Sequence, residues 1–273
     1  MKNVTKYLCD SHNKFKKNKD KSSIIPNNTT HLFFDSKLGQ KLEPGVISNI
    51  VTHLTFGENF NQILEPGVIP DSVTNLTFGN KFNRKLEPGD IPKSVTHLTF
   101  GNKFNQILEP GVIPNSVKYL IFNFHFNQKL KMGVIPNRVT HLTFGSEFNQ
   151  KLEPGDIPNS VTYLTLGFYF NQKLKPGDIP NSVKHLTFGD HFDQELEKDT
   201  IPNSVTYLIF GYYFNQKLKP GVIPNSVTHL TFGDHFDQEL NPGDRNLILS
   251  NQNPADERML SAIPNRVTHL TFG

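Results

Sequence analysis

The sequence predicts a mainly β fold, a parallel solenoid of 22-residue turns, and three observations predict it. Valine recurs at Val51, Val73, Val95, Val117, Val139, Val161, Val183, Val205 and Val227, a step of 22 residues each time. Every copy places apolar residues at the same offsets, as in Val139, Leu142, Phe144, Phe148, Leu152 and Ile157. Proline recurs within nearly every copy, which leaves no room for a long helix. One copy alone buries too little apolar surface to offset the entropy of ordering its chain, so the copies must stack and share an interior. Their strands then lie about 4.8 Å apart.

Each column of the unit V-T-H/Y-L-T-F-G-x-x-F-N-Q-x-L-x-P-G-x-I-P-x-S has a physical role. The spacing V-x-x-L-x-F fits a bend and then a strand of about four or five residues, with Leu and Phe turned inward. The glycine after the strand is replaced once, by Asn123. Asn is the next residue to tolerate a left-handed backbone, so this column is expected to need φ > 0. Pro-Gly, as in Pro154-Gly155, is the centre of a type II turn, and the copy lacking both residues has Lys198-Asp199, where Asp is also permitted. Ile-Pro then keeps the chain extended ahead of the next strand, because the residue before a proline is pushed out of the helical region. Phe60, Phe82, Phe104, Phe126, Phe148, Phe170, Phe192, Phe214 and Phe236 are expected in the core.

A second period, twice as long, overlies the first. The third column alternates as His141, Tyr163, His185, Tyr207 and His229, and the stretch from Ile179 to Leu196 recurs from Ile223 to Leu240 with a single difference, Lys184 in one and Thr228 in the other. Duplication of two copies at a time explains both.

Three regions follow: residues 1–23 as a basic N-terminal segment or degenerate cap, 24–244 as the repeat solenoid, and 245–273 as a degenerate and final partial repeat. "TTHLFF" from Thr29 to Phe34 is the first recognisable strand, and Val4, Leu8, Phe15 and Ile25 fit a degenerate copy with an insertion. Downstream, Val227 and Val267 are 40 residues apart, short of two full periods, and Leu247, Ile248 and Leu249 can form a strand between them.

Composition limits the function classes. Hydrophobic residues make up 36% and charged residues 19%, enough for a core, and a net charge of +3 spread along the chain does not point to nucleic acid or a membrane. The Lys14 to Lys21 cluster is explained by a solvated segment. A lone Cys9 excludes a disulfide framework and favours a reducing, intracellular compartment. The polar N-terminus has no signal-peptide core, and no apolar run approaches the roughly 18 residues of a membrane span.

The F-N…I-P signature, as in Phe148-Asn149 and Ile157-Pro158, resembles the FNIP repeat family. The resemblance covers the chain from about Ile24 to Gly273. It implies a right-handed, leucine-rich-repeat-like solenoid with a parallel β-sheet on its concave side, in proteins typical of social amoebae and of giant viruses that infect amoebae. Members often carry an F-box ahead of the repeats, which would make them substrate adaptors of ubiquitin ligases. The segment ahead of the first clear repeat is too short for that domain here, so only the family analogy supports an adaptor.

If Leu and Phe point inward, the outward columns carry function. His53, Asn75, His97, Tyr119, His141, Tyr163, His185, Tyr207 and His229 form one row with the Thr or Ile two places on. Tyr and His combine wide contact with a polar tip, which suits protein recognition. The competing explanation is strand propensity alone. Like members of the row lie roughly 9.6 Å apart, too far to share an ion that needs nitrogens at about 2.0–2.1 Å, so no metal is expected. An unperturbed imidazole titrates near pH 6.5, and weaker partner binding in acid is expected.

The Asn column, Asn61, Asn83, Asn105, Asn127, Asn149, Asn171, Asp193, Asn215 and Asp237, is expected to form a structural ladder that satisfies backbone groups of the next copy. The pairs His191/Asp193 and His235/Asp237 fall inside the duplicated block with no nucleophile at matching spacing. Charged columns such as Lys151 and Glu153, or Lys173 and Lys175, keep the far side soluble.

Catalysis needs a unique constellation held to about half an ångström, and this chain offers repetition instead. The expectation is a non-enzymatic scaffold without cofactor or metal, binding a protein through His53, His97, Tyr119, His141, Tyr163, His185, Tyr207 and His229, with no nucleic acid or membrane partner. An intracellular, cytoplasmic location is expected, that of the host if the gene is viral. The alternatives are a structural repeat expansion without a specific partner and the ubiquitin-ligase adaptor.

Overall fold

A computed structural model describes residues 6–9, 28–34, 41–238 and 262–273. The chain forms two compact units, Met1–Gly145 and Ser146–Gly273. The first holds strands β1 (Lys6–Cys9), β2 (His31–Phe34), β3 (His53–Thr55), β4 (Asn75–Thr77), β5 (His97–Thr99), β6 (Tyr119–Ile121) and β7 (His141–Thr143). The second holds β8 (Tyr163–Thr165), β9 (His185–Thr187), β10 (Tyr207–Ile209), β11 (His229–Phe232) and β12 (His269–Phe272). Within each unit every strand pairs in parallel with the next in sequence, and equivalent residues of successive copies face each other, as His97↔Tyr119, Leu98↔Leu120 and Thr99↔Ile121 do. Each unit is thus a parallel solenoid with a 22-residue step, as the sequence predicts. Among the described residues there is no helix, and none is long and apolar enough to cross a membrane.

One coil consists of a strand and three tight turns. Taking the coil from Val51, Phe60 N–H bonds to the Gly57 carbonyl at 3.0 Å, Val68 N–H to Glu65 at 3.1 Å and Val73 N–H to Pro70 at 3.0 Å. Three reversals let 22 residues close a loop and return one strand spacing along the axis. The strands themselves are mostly three residues long, shorter than expected. The ladder runs one residue further on both sides, with Thr74 N–H on Thr52 O at 2.8 Å and Phe56 N–H on Thr77 O at 2.9 Å, before the turns divert the chain.

The core follows the apolar columns. Val139, Leu142, Phe144, Phe148, Leu152 and Ile157 are all buried. Two phenylalanines in most coils stack into paired columns, Leu166 replacing one of them in a single coil: Phe78 and Phe82 lie 4.2 Å apart within a coil, and Phe82 and Phe104 lie 6.0 Å apart between coils. Offset stacks of this kind add to what their burial contributes.

The turn columns correct two expectations. Positive φ belongs to the Pro-Gly glycines, from Gly45 at 83° to Gly221 at 82°, and to Asp199 at 64°, as the type II turn requires. The glycine after the strand has no positive φ; it is small for another reason. A Cβ on Gly101 would collide with the carbonyl oxygen of Gly79, and one on Gly189 with that of Gly167. At this column the backbone of the preceding coil fills the space that a side chain would need. Asn123 is accommodated there with its amide donating to Phe100 O at 2.6 Å. Ile-Pro does not simply extend the chain either, since its proline opens the third turn.

A further buried column was not evident in the sequence, the residue after Pro-Gly. It is Val68, Val112, Val134 and Val222 in some coils and Asp90, Asp156, Asp178 or Thr200 in others. The aspartates earn their place by accepting the backbone N–H three residues earlier, Glu87 to Asp90 Oδ2 at 2.7 Å and Lys175 to Asp178 Oδ2 at 2.7 Å. Burial nonetheless raises the pKa of both Asp90 and Asp178.

At the N-terminal end β1 pairs with β2, with Tyr7 opposite Leu32 and Leu8 opposite Phe33, so Tyr7 rather than Leu8 occupies the register of the buried leucines. Val4, Phe15 and Ile25 lie outside the described residues, as do Leu247, Ile248 and Leu249. β12 pairs directly with β11, His229 opposite His269, although the two strands are 40 residues apart in sequence instead of 44.

Candidate functional site

The strands alternate sides because successive side chains in extended backbone point oppositely. The burial pattern is half-buried or exposed, buried, half-buried or exposed in β3 to β10, and β11 opens in the same way, so the Leu enters the core and the residues on either side of it face out. All eight candidate residues therefore lie on the exposed face of the sheet, in one row per unit.

The rows are stacked rings. In the first unit His97 lies 4.3 Å from Tyr119, and Tyr119 lies 4.4 Å from His141. His53 is separated from His97 by Asn75 and stacks instead on His31 at 3.9 Å. In the second unit Tyr163, His185, Tyr207 and His229 stack in turn at 4.1, 4.3 and 4.1 Å, and His229 stacks on His269 at 4.2 Å. His31 and His269 thus extend the row. Their motifs, T-T-H-L and V-T-H-L, match the repeat column and could have placed them there from sequence.

Threonine orients several of the imidazoles. The hydroxyls of Thr52, Thr96, Thr228 and Thr268 donate their single proton to a carbonyl of the preceding coil at 3.2 Å. The same oxygens lie 2.9 Å from Nδ1 of His53, His97 and His229 and 3.0 Å from that of His269. The contact turns Nδ1 of each of these rings toward its threonine and leaves Nε2 on the far side of the ring. His185 follows Lys184 and lacks this threonine, so the one difference within the duplicated stretch falls on a residue that orients the row. Burial first, and neighbouring positive charge second, lower the pKa of His53, His97 and His141, which favours the neutral ring.

Parallel rings a coil apart do not converge their nitrogens on one point. Among the described residues no group of three or more His, Cys, Asp or Glu side chains could hold a metal ion. The face offers imidazole nitrogens, phenol hydroxyls and flat ring edges at a regular spacing along its length.

The Asn column is a ladder, as expected. The Oδ1 of Asn105 accepts the Asn127 N–H at 3.0 Å and Nε2 of Gln128 at 2.8 Å, and Asp193 does the same for Asn215 at 2.9 Å and Gln216 at 3.0 Å. The working atom is an acceptor oxygen, which a carboxylate supplies as well as an amide. Asp193 is therefore a ladder residue. On the far side Lys41 and Glu65 pair at 2.7 Å and Lys173 and Glu197 at 3.1 Å between coils, exposed pairs of little energetic consequence.

Comparison with known proteins bears on this architecture. No curated protein matches the chain. Among solved structures, the crystal structure of CroV588, a circular LRR protein of a giant virus, matches with a TM-score of 0.81 and 41% identity. The match covers 92% of this chain and 34% of that one, so this chain spans about a third of the length of the structure it matches. The FNIP Repeat model matches residues 39–81, 82–125, 126–169, 170–213 and 214–243, each full match taking in two of the coils described above. With three quarters of its length matched in this way, the chain belongs to the FNIP repeat family.

Proposed function

We propose that this protein is a binding scaffold whose exposed sheet face, lined by the stacked His and Tyr rows, recognises another protein. The observation that carries the proposal is the orientation of the row: rings stacked at 4.1 to 4.4 Å, with threonine hydroxyls holding Nε2 outward. Strand propensity alone accounts for Tyr and Thr on a sheet, but not for a threonine contact repeated at Nδ1 of His53, His97 and His229. A surface of large, pre-oriented rings contacts a partner at low entropic cost. Binding rather than catalysis fits a site whose polar groups all recur by translation. The lone Cys9 supports a reducing, intracellular setting for this activity.

The test compares the full chain with a variant carrying Tyr163→Ala, His185→Ala and Tyr207→Ala, both used to capture partners from cell lysate. All three side chains lie outside the core, so the circular dichroism of the variant should match that of the parent. Loss of captured proteins is expected. Recovery of the same proteins by both chains, or of none, would replace the scaffold with a structural repeat expansion lacking a partner.

A further inference from the structure

The turn after each strand presents two side chains that the repeat consensus leaves open. In the second unit they are Phe168-Tyr169, Asp190-His191, Tyr212-Tyr213 and Asp234-His235. Their backbone is fixed by a ladder of its own: His191 N–H donates to Phe168 O at 2.9 Å, Tyr213 N–H to Asp190 O at 2.8 Å and His235 N–H to Tyr212 O at 3.1 Å. The six rings make one connected cluster. Phe168 meets Tyr169 edge-on at 4.8 Å and His191 at 5.0 Å, His191 lies 4.8 Å from Tyr213, and Tyr212 meets Tyr213 at 4.8 Å and His235 at 4.7 Å. Phe168, Tyr169, Tyr212 and Tyr213 nevertheless remain 39 to 44% exposed. Packing does not require rings here, since other coils place Asn102-Lys103 or Ser146-Glu147 at the same positions. Clustered, exposed and ordered aromatics mark an interaction surface.

Charge decides what it fits. Asp190 lies on the coil between Phe168 and Tyr212, and Asp234 on the coil after Tyr212. Among the described residues neither carboxylate enters an ion pair. We propose that this edge binds an extended protein segment presenting arginine or lysine, one cation held against Asp190 between Phe168 and Tyr212 and the next against Asp234 beside Tyr212. Coils about 4.8 Å apart set Phe168 and Tyr212 roughly 9.6 Å apart, so a cation midway above Asp190 sits about 4.8 Å from each ring, inside the roughly 6 Å reach of a cation–π contact. The carboxylates repeat at the same interval of about 9.6 Å, close to the roughly 9.3 Å that separates residues i and i+3 of a polyproline II segment. Arg-x-x-Arg running along the coil axis therefore places a cation on each aspartate. Phosphate-bearing partners are repelled by the same carboxylates. In the first unit two of the equivalent turns carry exposed Lys81 and Lys103, which repel a cationic segment.

Fluorescence anisotropy of the full chain with a labelled Pro-Arg-Pro-Pro-Arg-Pro peptide tests the proposal, with Pro-Gln-Pro-Pro-Gln-Pro as the neutral control. Saturable binding of the arginine peptide alone is expected. Asp190→Asn with Asp234→Asn should weaken it about tenfold through the loss of both charge pairs, as should Tyr212→Ala, whose ring borders both cations. Tyr163→Ala, on the strand face, should leave it unchanged, which separates this edge from the face proposed above. No binding, equal binding of the glutamine peptide, undiminished affinity in the asparagine variant, or binding of a neutral oligosaccharide such as cellohexaose in place of the arginine peptide would each overturn it.

Discussion

Thr200 occupies a column otherwise filled by valine or by aspartate, and it fits neither pattern. Its methyl is buried like the valines, but its hydroxyl, unlike the aspartate oxygens, finds no hydrogen-bond partner. An unsatisfied buried hydroxyl costs about 1–3 kcal/mol. Thr200→Val should therefore stabilise the chain by roughly 1 kcal/mol, measured as a higher midpoint in urea with an unchanged slope. The column itself could not be recognised as core from sequence. Val, Asp and Thr share no hydrophobic signal, and what unites Asp90 and Asp178 with Val68 is a place beneath a turn whose N–H the aspartates accept. The glycines show the same limit. Gly101 and Gly111 are equivalent as letters, yet one is required by the carbonyl of the coil below and the other by a φ of 89°.

At the scale of the element, the Asn ladder joins one coil to the next at the segment after the first turn. Its logic predicts an asymmetry between two substitutions at Asn105. Asn105→Ala removes the acceptor of both Asn127 N–H and Gln128 Nε2 and should cost about 1–3 kcal/mol. Asn105→Asp keeps the acceptor, as Asp193 does naturally, and should stay within about 1 kcal/mol of the parent. Chemical denaturation of the two variants distinguishes a ladder built on an acceptor oxygen from one that needs the amide donor. This element was legible in the sequence because a polar residue repeated in register with buried phenylalanines has few other uses. The His and Tyr row was legible for the same reason. The aromatic turn edge was not, because its residues change from coil to coil and only the fold places Phe168, His191 and Tyr213 side by side.

At the scale of the whole molecule, repetition multiplies small effects, and pH is where this becomes measurable. His53, His97 and His141 have pKa values below the usual 6.5, with burial the main cause. The unfolded chain then takes up protons that the folded chain refuses. Their contribution to stability is complete above pH 6.5 and is lost as the pH falls through the lower folded values. Unfolding free energy should thus be smaller at pH 5.5 than at 7.5. Replacing the three histidines by asparagine, the residue that Asn75 already places in this row, should flatten that dependence. Asp90 and Asp178 act in the opposite sense in the carboxylate range, since their raised pKa values make folding more favourable as the pH falls toward 3.8. The sequence by itself determined that 22-residue copies stack in parallel, which apolar columns enter the interior and which row faces out. A period reports every residue that shares an environment with its own copies. Only the tertiary structure decided which glycines are held by φ and which by a neighbouring backbone, which imidazole nitrogen faces outward, and that scattered turn residues meet as one aromatic edge. Those facts depend on distances between atoms a full coil apart or on different sides of one turn, and no local spacing of letters encodes them.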